Sequence, residues 1–435
     1  MPSNFTIKEL YNIYLKHSNI STDTRSIIPN SIFFALKGQN FDGNKFALQA
    51  LDLGAAYAVI DDKTFETSEK TILVDDVLKA LQNLANFHRK QLKIPFLAIT
   101  GSNGKTTTKE LVNAVLSKKF KTLATKGNLN NHIGVPLTIL SIRNDIEFAI
   151  IEMGANHQRE IALLCEIANP DYGIITNIGK AHLEGFGGIE GIKKGKGEMY
   201  DYIKSKNGKV FVNSDSEVLI EMLNNRGLEG ITYGSNSNAF LQGDILNDQP
   251  TLSFTWKWKN GPTNIVTSKL PGAYNLPNFL CAACVGSYFG VSENDINDAL
   301  SNYVAENNRS QLIIKNDKQI LLDAYNANPS SMEAALINFS KNNAQRKIVF
   351  LGNMLELGED AKIEHQNLIN LVKSLKFNEV YLVGSLFKNV DTGTFNYFEN
   401  IEQCIASIKD IDFSNSFILI KGSRGSKMEK LLDFL

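Results

Sequence analysis

The stretch FLAITGSNGKTTTKELV, residues 96–112, runs from an apolar strand pattern through a glycine-containing turn into a helical pattern. Glycines in such a turn let backbone N–H groups approach a phosphate, and the helix N-terminus that follows favours negative charge. Lys105 adds a compact cation, and Thr106 adds a hydroxyl that suits Mg²⁺. The strict Walker pattern has glycine where this chain has Ile99, so we predict a variant G-x-x-G-K-T phosphate loop.

Apolar strand patterns alternate with helical patterns on both sides of this loop, as in SIFFAL (31–36) and YGIITNIG (172–179). Short apolar strands separated by helices favour a mostly parallel sheet covered on both faces. At 435 residues the chain exceeds one hydrophobic core, so we predict an α/β protein of three domains. The predicted domains are a small α/β domain (1–88), a central phosphate-loop domain (89–308) and a Rossmann-like α/β domain (309–435).

The pattern changes between about residues 231 and 270. Apolar and polar residues alternate in TLSFTWKWKNGPTNIVTSKL (251–270), and Asn260-Gly261 is a strong hairpin signal. We therefore predict a β subregion attached to the central sheet. A polar segment, AENNRSQ (305–311), predicts the linker to the third domain.

Composition narrows the class of protein. A formal net charge of −1 argues against a nucleic-acid binder. The sequence contains no apolar run of about 18 residues, which is the length that would predict a membrane span. The first residues lack the basic and apolar pattern of a leader, so we expect a cytoplasmic protein. Among the four cysteines, Cys281 and Cys284 form a C-x-x-C pattern without a second ligand pair, which favours core packing over metal or redox chemistry. The sequence has no coiled-coil pattern that would indicate an obligate oligomer, so we expect a monomer.

Three residues beyond the loop are candidates for its chemistry. Glu152 ends the apolar run EFAIIEMG and can supply the carboxylate that a phosphate-bound Mg²⁺ needs. His182 follows a further apolar run in a glycine-rich segment, where a histidine alone is more often structural. Lys196 lies in KKGKGEMY (193–200), which by composition predicts a solvated basic turn.

Together these segments resemble the Mur ligase family, the ATP-dependent amide-forming enzymes of bacterial cell-wall synthesis. The resemblance covers essentially the whole chain. Its segments, in order, are DTRSIIPNSIFFALKGQNFDGNKF, TGSNGKTTTKE, NLNNHIGVPLTIL, EMGANHQREI, TNIGKAHLEGFGG, KGE, LPGAYNLPNFLCAA, DAYNANPSSM, LGNMLELG and KGSRGSKME.

The resemblance implies roles for particular residues. Its catalytic residues would be Lys105, His182, Lys196 and Arg309. Its ATP site would comprise Gly101, Ser102, Asn103, Gly104, Lys105, Thr106, Thr107, Asn275, Arg309, Asp323, Tyr325 and Asn326. Its peptide and UDP substrates would contact Thr24, Arg25, Asp42, Gly43, Asn44, Asn131, His132 and Asn328. Its Mg²⁺ ions, two in number, would be held by Thr106, Glu152, His182 and Lys196.

Lys196 has the position of a lysine that relatives carbamylate with CO₂, which would convert a cation beside Mg²⁺ into an anionic ligand. The chain also departs from the family pattern at four positions. Thr24 replaces a frequent serine, Asn44 and Tyr274 replace frequent histidines, and Asn353 replaces an acidic residue. The loss of charge at Asn353 bears on metal, dipeptide or domain contacts.

The pattern is most similar to the branch of the family that adds D-alanyl-D-alanine to UDP-N-acetylmuramoyl-tripeptide through an acyl phosphate. That activity would belong to peptidoglycan precursor synthesis, and hence to cell shape and division. The nearest alternative is the sister ligase that adds a diamino acid, but its Asp-Asn-Pro-Arg element is absent. Folylpolyglutamate synthase lacks the uridine-nucleotide domain. A nucleotide-gated binding module without ligase activity is the alternative outside the enzymes.

Overall fold

The computed structural model describes residues 5–306 and 308–435, so residues 1–4 of the first predicted domain and Asn307 of the predicted linker lie outside it. The first unit is a parallel sheet in the order β1-β2-β5-β6 with a small antiparallel ribbon, β3-β4. Its elements are α1 (Ile7–Lys16), β1 (Ile20–Ser21), β2 (Ile32–Phe34), β3 (Lys37–Gly38), β4 (Phe41–Asp42), α2 (Ala47–Asp52), β5 (Tyr57–Ile60), β6 (Thr71–Leu73) and α3 (Val77–Gln91).

The central unit is a mostly parallel sheet in the order β15-β14-β13-β12-β11-β10-β7-β9-β8. Its strands are β7 (Phe96–Thr100), β8 (Thr122–Ala124), β9 (Phe148–Glu152), β10 (Tyr172–Ile175), β11 (Lys209–Asn213), β12 (Gly230–Gly234), β13 (Leu241–Asn247), β14 (Ser253–Trp258) and β15 (Asn264–Thr267). Its helices are α4 (Lys105–Leu116), α5 (Gly134–Leu140), α6 (Glu160–Ala168), α7 (Leu183–Phe186), α8 (Ile189–Ser205), α9 (Glu217–Asn224), α10 (Leu276–Tyr288) and α11 (Glu293–Asn302).

The third unit has the sheet order β16-β17-β21-β18-β19-β20, in which only β16 and β17 pair antiparallel. Its elements are β16 (Gln311–Lys315), β17 (Lys318–Asp323), α12 (Pro329–Ser340), β18 (Lys347–Gly352), α13 (Ala361–Leu375), β19 (Glu379–Val383), β20 (Asn396–Phe398), α14 (Ile401–Ile408) and β21 (Phe417–Lys421). The predicted α/β architecture is thus confirmed. Within residues 5–306 and 308–435, no helix is both long and apolar enough to cross a membrane.

Three neighbouring strands of the central sheet position the phosphate loop. β7 pairs in parallel with β9 on one side and β10 on the other, and every residue of β7 and β9 is buried. Strands buried on both faces need continuously apolar sequences, which is why FLAIT and FAII contain no charge. Because parallel strands end at the same edge, the loop after β7 lies between Glu152, the last residue of β9, and Thr176, which follows β10.

The predicted β subregion is confirmed by the antiparallel pairs β13-β14 and β14-β15. Leu252, Phe254 and Trp256 are fully buried, and the indole N–H of Trp256 donates to Asn297 at 2.7 Å. Trp258 continues the alternation but remains 40% exposed, and its indole N–H donates to Glu293. The alternation therefore predicted the strand correctly.

The prediction of a solvated basic turn at residues 193–200 is wrong. The segment lies inside α8, and Lys196 is 1% exposed. Its glycines allow close packing: a Cβ at Gly195 would lie 2.5 Å from the Phe186 ring, and one at Gly197 would lie 2.5 Å from the Arg226 guanidinium. Composition cannot distinguish such packing glycines from turn glycines. Cys281 and Cys284, in contrast, lie buried and unpaired in α10, as predicted for core residues.

A buried histidine ties α13 to the loop that follows β18. His365 is fully buried; its Nε2 accepts the Met354 N–H at 3.1 Å, and its Nδ1–H donates to the Ala361 carbonyl at 2.7 Å. Only the neutral ring has both a donor and an acceptor nitrogen. Burial lowers the pKa of His365, against the opposing effects of Ala361 and Glu364.

We expect the variant His365→Asn to lose less stability on acidification than the wild type. The unfolded histidine titrates near pH 6.5, and the folded pKa is lower, so the unfolded state takes up a proton first as pH falls. The contribution of the neutral ring is therefore present above about pH 6.5 and is lost progressively below it. The measurement is the drop in thermal midpoint between about pH 7.5 and about pH 5.5 for both proteins. Equal drops would contradict the neutral-ring assignment.

Candidate functional site: a cleft between the central and third sheets

A cavity of about 790 Å³ opens between the carboxyl edge of the central sheet and the third unit. Its walls carry polar side chains from both. Of the residues predicted to act on nucleotide, metal or peptide, the following line it: Ser102, Asn103, Gly104, Lys105, Thr106, Thr107, Asn131, His132, Glu152, His182, Asn275, Arg309, Asp323, Tyr325, Asn326 and Asn328. Residues that are distant in sequence therefore share one cleft.

Two positions of the phosphate loop have backbone conformations that require glycine. Gly101 has φ +146°, and a Cβ there would lie 1.9 Å from the Thr176 hydroxyl. Gly104 has φ +76° and forms the N-cap of α4, close to the Asn278 amide. Positive φ and close approach both require glycine. The loop therefore presents the N-terminus of α4 to the cleft, where an anion is favoured.

Lys105 lies at that N-terminus. Its Nζ donates to the carbonyls of Gly101 at 2.7 Å and Ser102 at 3.2 Å, so the ammonium folds back over the loop. Burial lowers the pKa of Lys105 to about 8, although the Glu152 carboxylate opposes the shift. A phosphate group in the loop would give this desolvated ammonium an anionic partner.

Asn103 connects the loop to both of its neighbours. Its N–H donates to Asn177 Oδ1 at 3.0 Å, and its carbonyl accepts from the Thr176 hydroxyl at 2.6 Å. Across the cleft, the Asn328 side-chain amide donates to Asn103 Oδ1 at 2.7 Å. The third unit thus touches the phosphate loop directly. Sequence reasoning missed Thr176 and Asn177, although both follow a predicted strand.

Glu152 is 1% exposed at the end of β9. Its Oε1 accepts from Thr106 Oγ1 at 3.3 Å and from the Asn130 amide at 2.8 Å. Its Oε2 is buried without a hydrogen bond and lies 4.0 Å from Nζ of Lys109, which instead donates to the Thr125 carbonyl at 2.7 Å. A buried carboxylate oxygen beside a hydroxyl suits a hard cation such as Mg²⁺. The residues present therefore fit a metal ion.

Lys196 is as buried as Glu152, but no carboxylate pairs with it anywhere in the described residues. The Phe186 ring centroid lies 5.3 Å from its Nζ. Burial, and then the charge of Lys105, lower the pKa of Lys196 well below its usual range. Burial of this kind favours the neutral, nucleophilic form of a lysine amine over the charged form.

His182 is the N-cap of α7 and adopts a left-handed φ of +55°. Its Nδ1 is buried against the carboxylate of Glu356, which reaches it from the third unit. His182 holds the pKa of Glu356 below its usual range. Sequence reasoning placed Glu356 in a family motif, LGNMLELG, but assigned it no contact.

The third unit supplies the opposite wall. The Arg309 guanidinium stacks on the Tyr325 ring at 3.7 Å, and no carboxylate of the described residues pairs with it. Asp323 forms an ion pair with Lys421, a residue that sequence reasoning left without a role. Arg309 is therefore a cation free to meet an anion in the cleft.

Two departures from the family pattern have structural explanations here. The Tyr274 hydroxyl lies 3.3 Å from the Ser310 hydroxyl, so Tyr274 still bridges the central and third units. Asn353 Oδ1 accepts the Leu386 N–H at 3.3 Å, and Gly384 passes so close that a Cβ there would lie 2.1 Å from Asn353 Oδ1. Asn353 therefore supports the loop after β19.

The predicted residues of the first unit lie apart from the cleft lining. Asn44 is fully buried, and its amide donates to Asp42 and to Asp61, both at 2.8 Å. Gly43 is needed because a Cβ there would lie 2.3 Å from the Leu36 carbonyl. These contacts form a separate polar turn at the edge of the first sheet. Thr24 and Arg25 lie in the short helical turn Thr24–Ser26, where Arg25 pairs with Asp23 at 2.6 Å.

Three domain families match consecutive parts of the chain. Residues 16–89 match "Mur ligase family, catalytic domain", residues 99–286 match "Mur ligase middle domain", and residues 308–424 match "Mur ligase, glutamate ligase domain". The matched segments follow the order of the three sheets.

The alignments with two named relatives cover nearly the whole chain. The UDP-N-acetylmuramoyl-tripeptide--D-alanyl-D-alanine ligase of Bacillus subtilis (strain 168) is 35% identical over 428 residues, covering 95% of this chain and 92% of the relative. The ligase of the same name from Escherichia coli (strain K12) is 33% identical over 421 residues, again covering 95% and 92%.

Solved structures are similar over the same extent. MurF from Acinetobacter baumannii has a TM-score of 0.86 at 28% identity, covering 100% of this chain and 99% of that one. MurF ligase from Thermotoga maritima in complex with ADP has a TM-score of 0.87 at 25% identity, covering 97% of each chain. All three units are therefore shared with these proteins.

Proposed function

The chain belongs to the Mur ligase family, and we propose that it joins D-alanyl-D-alanine to UDP-N-acetylmuramoyl-tripeptide while converting ATP to ADP and phosphate. The observation that carries this proposal is the cationic phosphate loop, which the third unit contacts through Asn328. A ligase needs such an arrangement because the activated carboxylate must meet an amine out of reach of water. The named relatives support the choice of substrates.

The reaction must make a carboxylate oxygen into a leaving group. The terminal carboxylate of the tripeptide attacks the γ-phosphorus of ATP, which forms an acyl phosphate and releases ADP. The amine of D-alanyl-D-alanine then attacks the acyl carbon, a proton leaves the nitrogen, and the tetrahedral intermediate expels phosphate. The protein contributes mostly position and charge.

Different residues of the cleft contact the phosphates, the adenosine and the incoming dipeptide. Lys105 and the loop amides hold the β- and γ-phosphates, and Arg309 approaches the transferred phosphoryl group from the opposite wall. Asn275 and Asp323 contact the adenosine, while Asn326 and Asn328 line the path of the incoming dipeptide. Since Arg309 lacks an anionic partner, its charge is available to the phosphoryl oxygens.

Thr106 and Glu152 would hold one Mg²⁺, and Glu152, His182 and Lys196 would hold a second. When bound, these ions neutralise the charge on the phosphoryl oxygens. In the described part of the chain, no group of three or more His, Cys, Asp or Glu could hold a metal ion by itself. Phosphate oxygens of the nucleotide would complete the coordination, as is usual for Mg²⁺.

Lys196 acts in its carbamylated form. Its neutral amine attacks CO₂, loses a proton and becomes an anionic carbamate. The support is its burial beside Lys105 without a carboxylate partner, since a second ammonium there would be costly. A carbamate would offset the charge of Lys105 and complete the metal site.

The first domain, residues 1–88, binds the uridine nucleotide through Thr24, Arg25 and the turn at Asp42, Gly43 and Asn44. Asn131 and His132 contact the muramoyl peptide where it enters the cleft, which they line. The central domain, 89–308, binds ATP, and the third, 309–435, closes over it. Tripeptide and ATP therefore approach the reacting atoms from different domains.

Phosphate release should depend on the amine supplied. With UDP-N-acetylmuramoyl-tripeptide and ATP, we expect D-alanyl-D-alanine to support steady release and diamino acids to support none. The variant Lys105→Ala should lose ADP formation by at least about 100-fold, because it lacks the cation that meets the phosphates, yet still bind the uridine nucleotide. Release that follows a diamino acid would indicate the sister ligase. Undiminished turnover by Lys105→Ala would overturn the assignment of the loop.

Carbamylation of Lys196 should be visible by ¹³C NMR. Protein equilibrated with ¹³C-bicarbonate should show a carbamate signal that is absent in Lys196→Arg, and removal of CO₂ should reduce turnover. Lys194→Arg is the matched control, since Lys194 lies two residues away on the same helix but is exposed. A wild-type spectrum without the signal, together with CO₂-independent turnover, would contradict the modification.

A further inference from the structure

We propose that Glu356 is a positioning residue that orients His182 toward the metal site, and that it couples this orientation to docking of the third domain. The inference rests on the proposed function, in which His182 holds Mg²⁺. Glu356 follows β18 of the third sheet, whereas His182 follows β10 of the central sheet. Their contact therefore exists only when the two domains are together.

The contact selects one form of the histidine ring. The Glu356 carboxylate is in contact with Nδ1 of His182, and Nδ1 is buried with no other polar partner among the described residues. Because a carboxylate can only accept, this contact favours the ring form that carries its hydrogen on Nδ1. In the neutral ring with its hydrogen on Nδ1, Nε2 keeps its lone pair, and His182 lines the cleft. Metal-bound histidines commonly use a carboxylate in this way, which fixes both the tautomer and the ring orientation.

Both backbones are held in a conformation that their side chains disfavour. His182 has φ +55° and Glu356 has φ +63°, and neither residue is glycine. Such conformations are unfavourable for residues other than glycine and persist where surrounding contacts impose them. The two unusual φ angles thus occur at residues whose side chains are in contact.

The segment that carries Glu356 is anchored from several directions. His365 accepts the Met354 N–H at 3.1 Å, and the Ser423 hydroxyl accepts the Leu355 N–H at 3.1 Å. Gly358 packs against α7, since a Cβ there would lie 3.0 Å from the Glu184 side chain. Glu356 is therefore presented from a fixed loop, although its own side chain is half exposed.

A coupling between docking and metal binding follows from this geometry. When the third domain moves away, His182 loses the carboxylate that fixes its tautomer, and the metal site loses an oriented ligand. Nucleotide and metal would then bind together most tightly in the docked arrangement. A hydrolytic side reaction would be limited in the undocked arrangement, because one ligand of the catalytic metal is unaligned.

The test compares Glu356→Ala with Glu356→Gln. Alanine removes the acceptor, whereas the glutamine side chain retains a carbonyl oxygen that can accept from Nδ1–H. Both keep a Cβ, so the backbone conformation costs about the same in each. Glu359→Ala is the matched control, because Glu359 is an exposed carboxylate three residues further on. His182→Ala reports the effect of losing the ligand itself.

The first readout is the tautomer of His182 in full-length protein with ADP and a chelator, observed by ¹⁵N NMR of labelled histidines. His182→Ala assigns the signal among the six histidines. We expect the Nδ1–H form in the wild type, Glu356→Gln and Glu359→Ala, and a shift toward the Nε2–H form in Glu356→Ala. An unchanged tautomer in Glu356→Ala would overturn the inference.

The second readout is the Mg²⁺ dissociation constant with ADP present, measured by calorimetry. Glu356→Ala should raise it by about 10- to 100-fold, Glu356→Gln by only a few-fold, and the double variant Glu356→Ala/His182→Ala no further than His182→Ala. Equal losses in Glu356→Ala and Glu356→Gln would make Glu356 a ligand and overturn the positioning role. If His182→Ala weakens Mg²⁺ but Glu356→Ala does not, only this inference fails. If His182→Ala has no effect, the metal assignment in the proposed function fails with it.

Discussion

An excess of buried lysine side chains over buried carboxylates at the carboxyl edge of the central sheet is the constraint on which the site depends. Lys109 and Lys196 are almost fully buried there, Lys105 lies over the phosphate loop, and the buried carboxylate of Glu152 lies 4.0 Å from Lys109 Nζ. Buried ammonium groups are costly unless anions meet them. Phosphates, and a carbamate made from one of the lysines, would supply those anions. The site is thus built for ligands that carry negative charge.

Strand order brings these charges together. β9, β7 and β10 are neighbours, so Glu152, the phosphate loop and the segment leading to His182 leave the sheet at one edge. The third sheet contributes Asn328 and Glu356 from loops on the facing edge. Chemistry that joins two substrates needs parts from both edges, and in the proposed coupling the docking of the third domain completes the site.

The sequence predicted those parts of the site that are determined by residues close together in the chain. The phosphate loop was recognisable because glycine, lysine and threonine must occur at fixed spacing between a strand and a helix, and Glu152 because it ends an apolar strand. The Asn103–Asn328 contact joins residues 225 positions apart, so no spacing could indicate it. The partnership of His182 and Glu356 was invisible for the same reason. The helix around Lys196 was missed because its glycines allow close packing against neighbouring side chains, whereas the sequence pattern suggested that they form a turn.

The central claim is that this cleft transfers the γ-phosphate of ATP to a substrate carboxylate. The most direct measurement uses UDP-N-acetylmuramoyl-tripeptide labelled with ¹⁸O in its terminal carboxylate, with ATP and D-alanyl-D-alanine, and determines the mass of the phosphate released. Transfer through an acyl phosphate predicts that each phosphate carries one labelled oxygen from the carboxylate. Phosphate without label, its new oxygen drawn from water, would contradict the account.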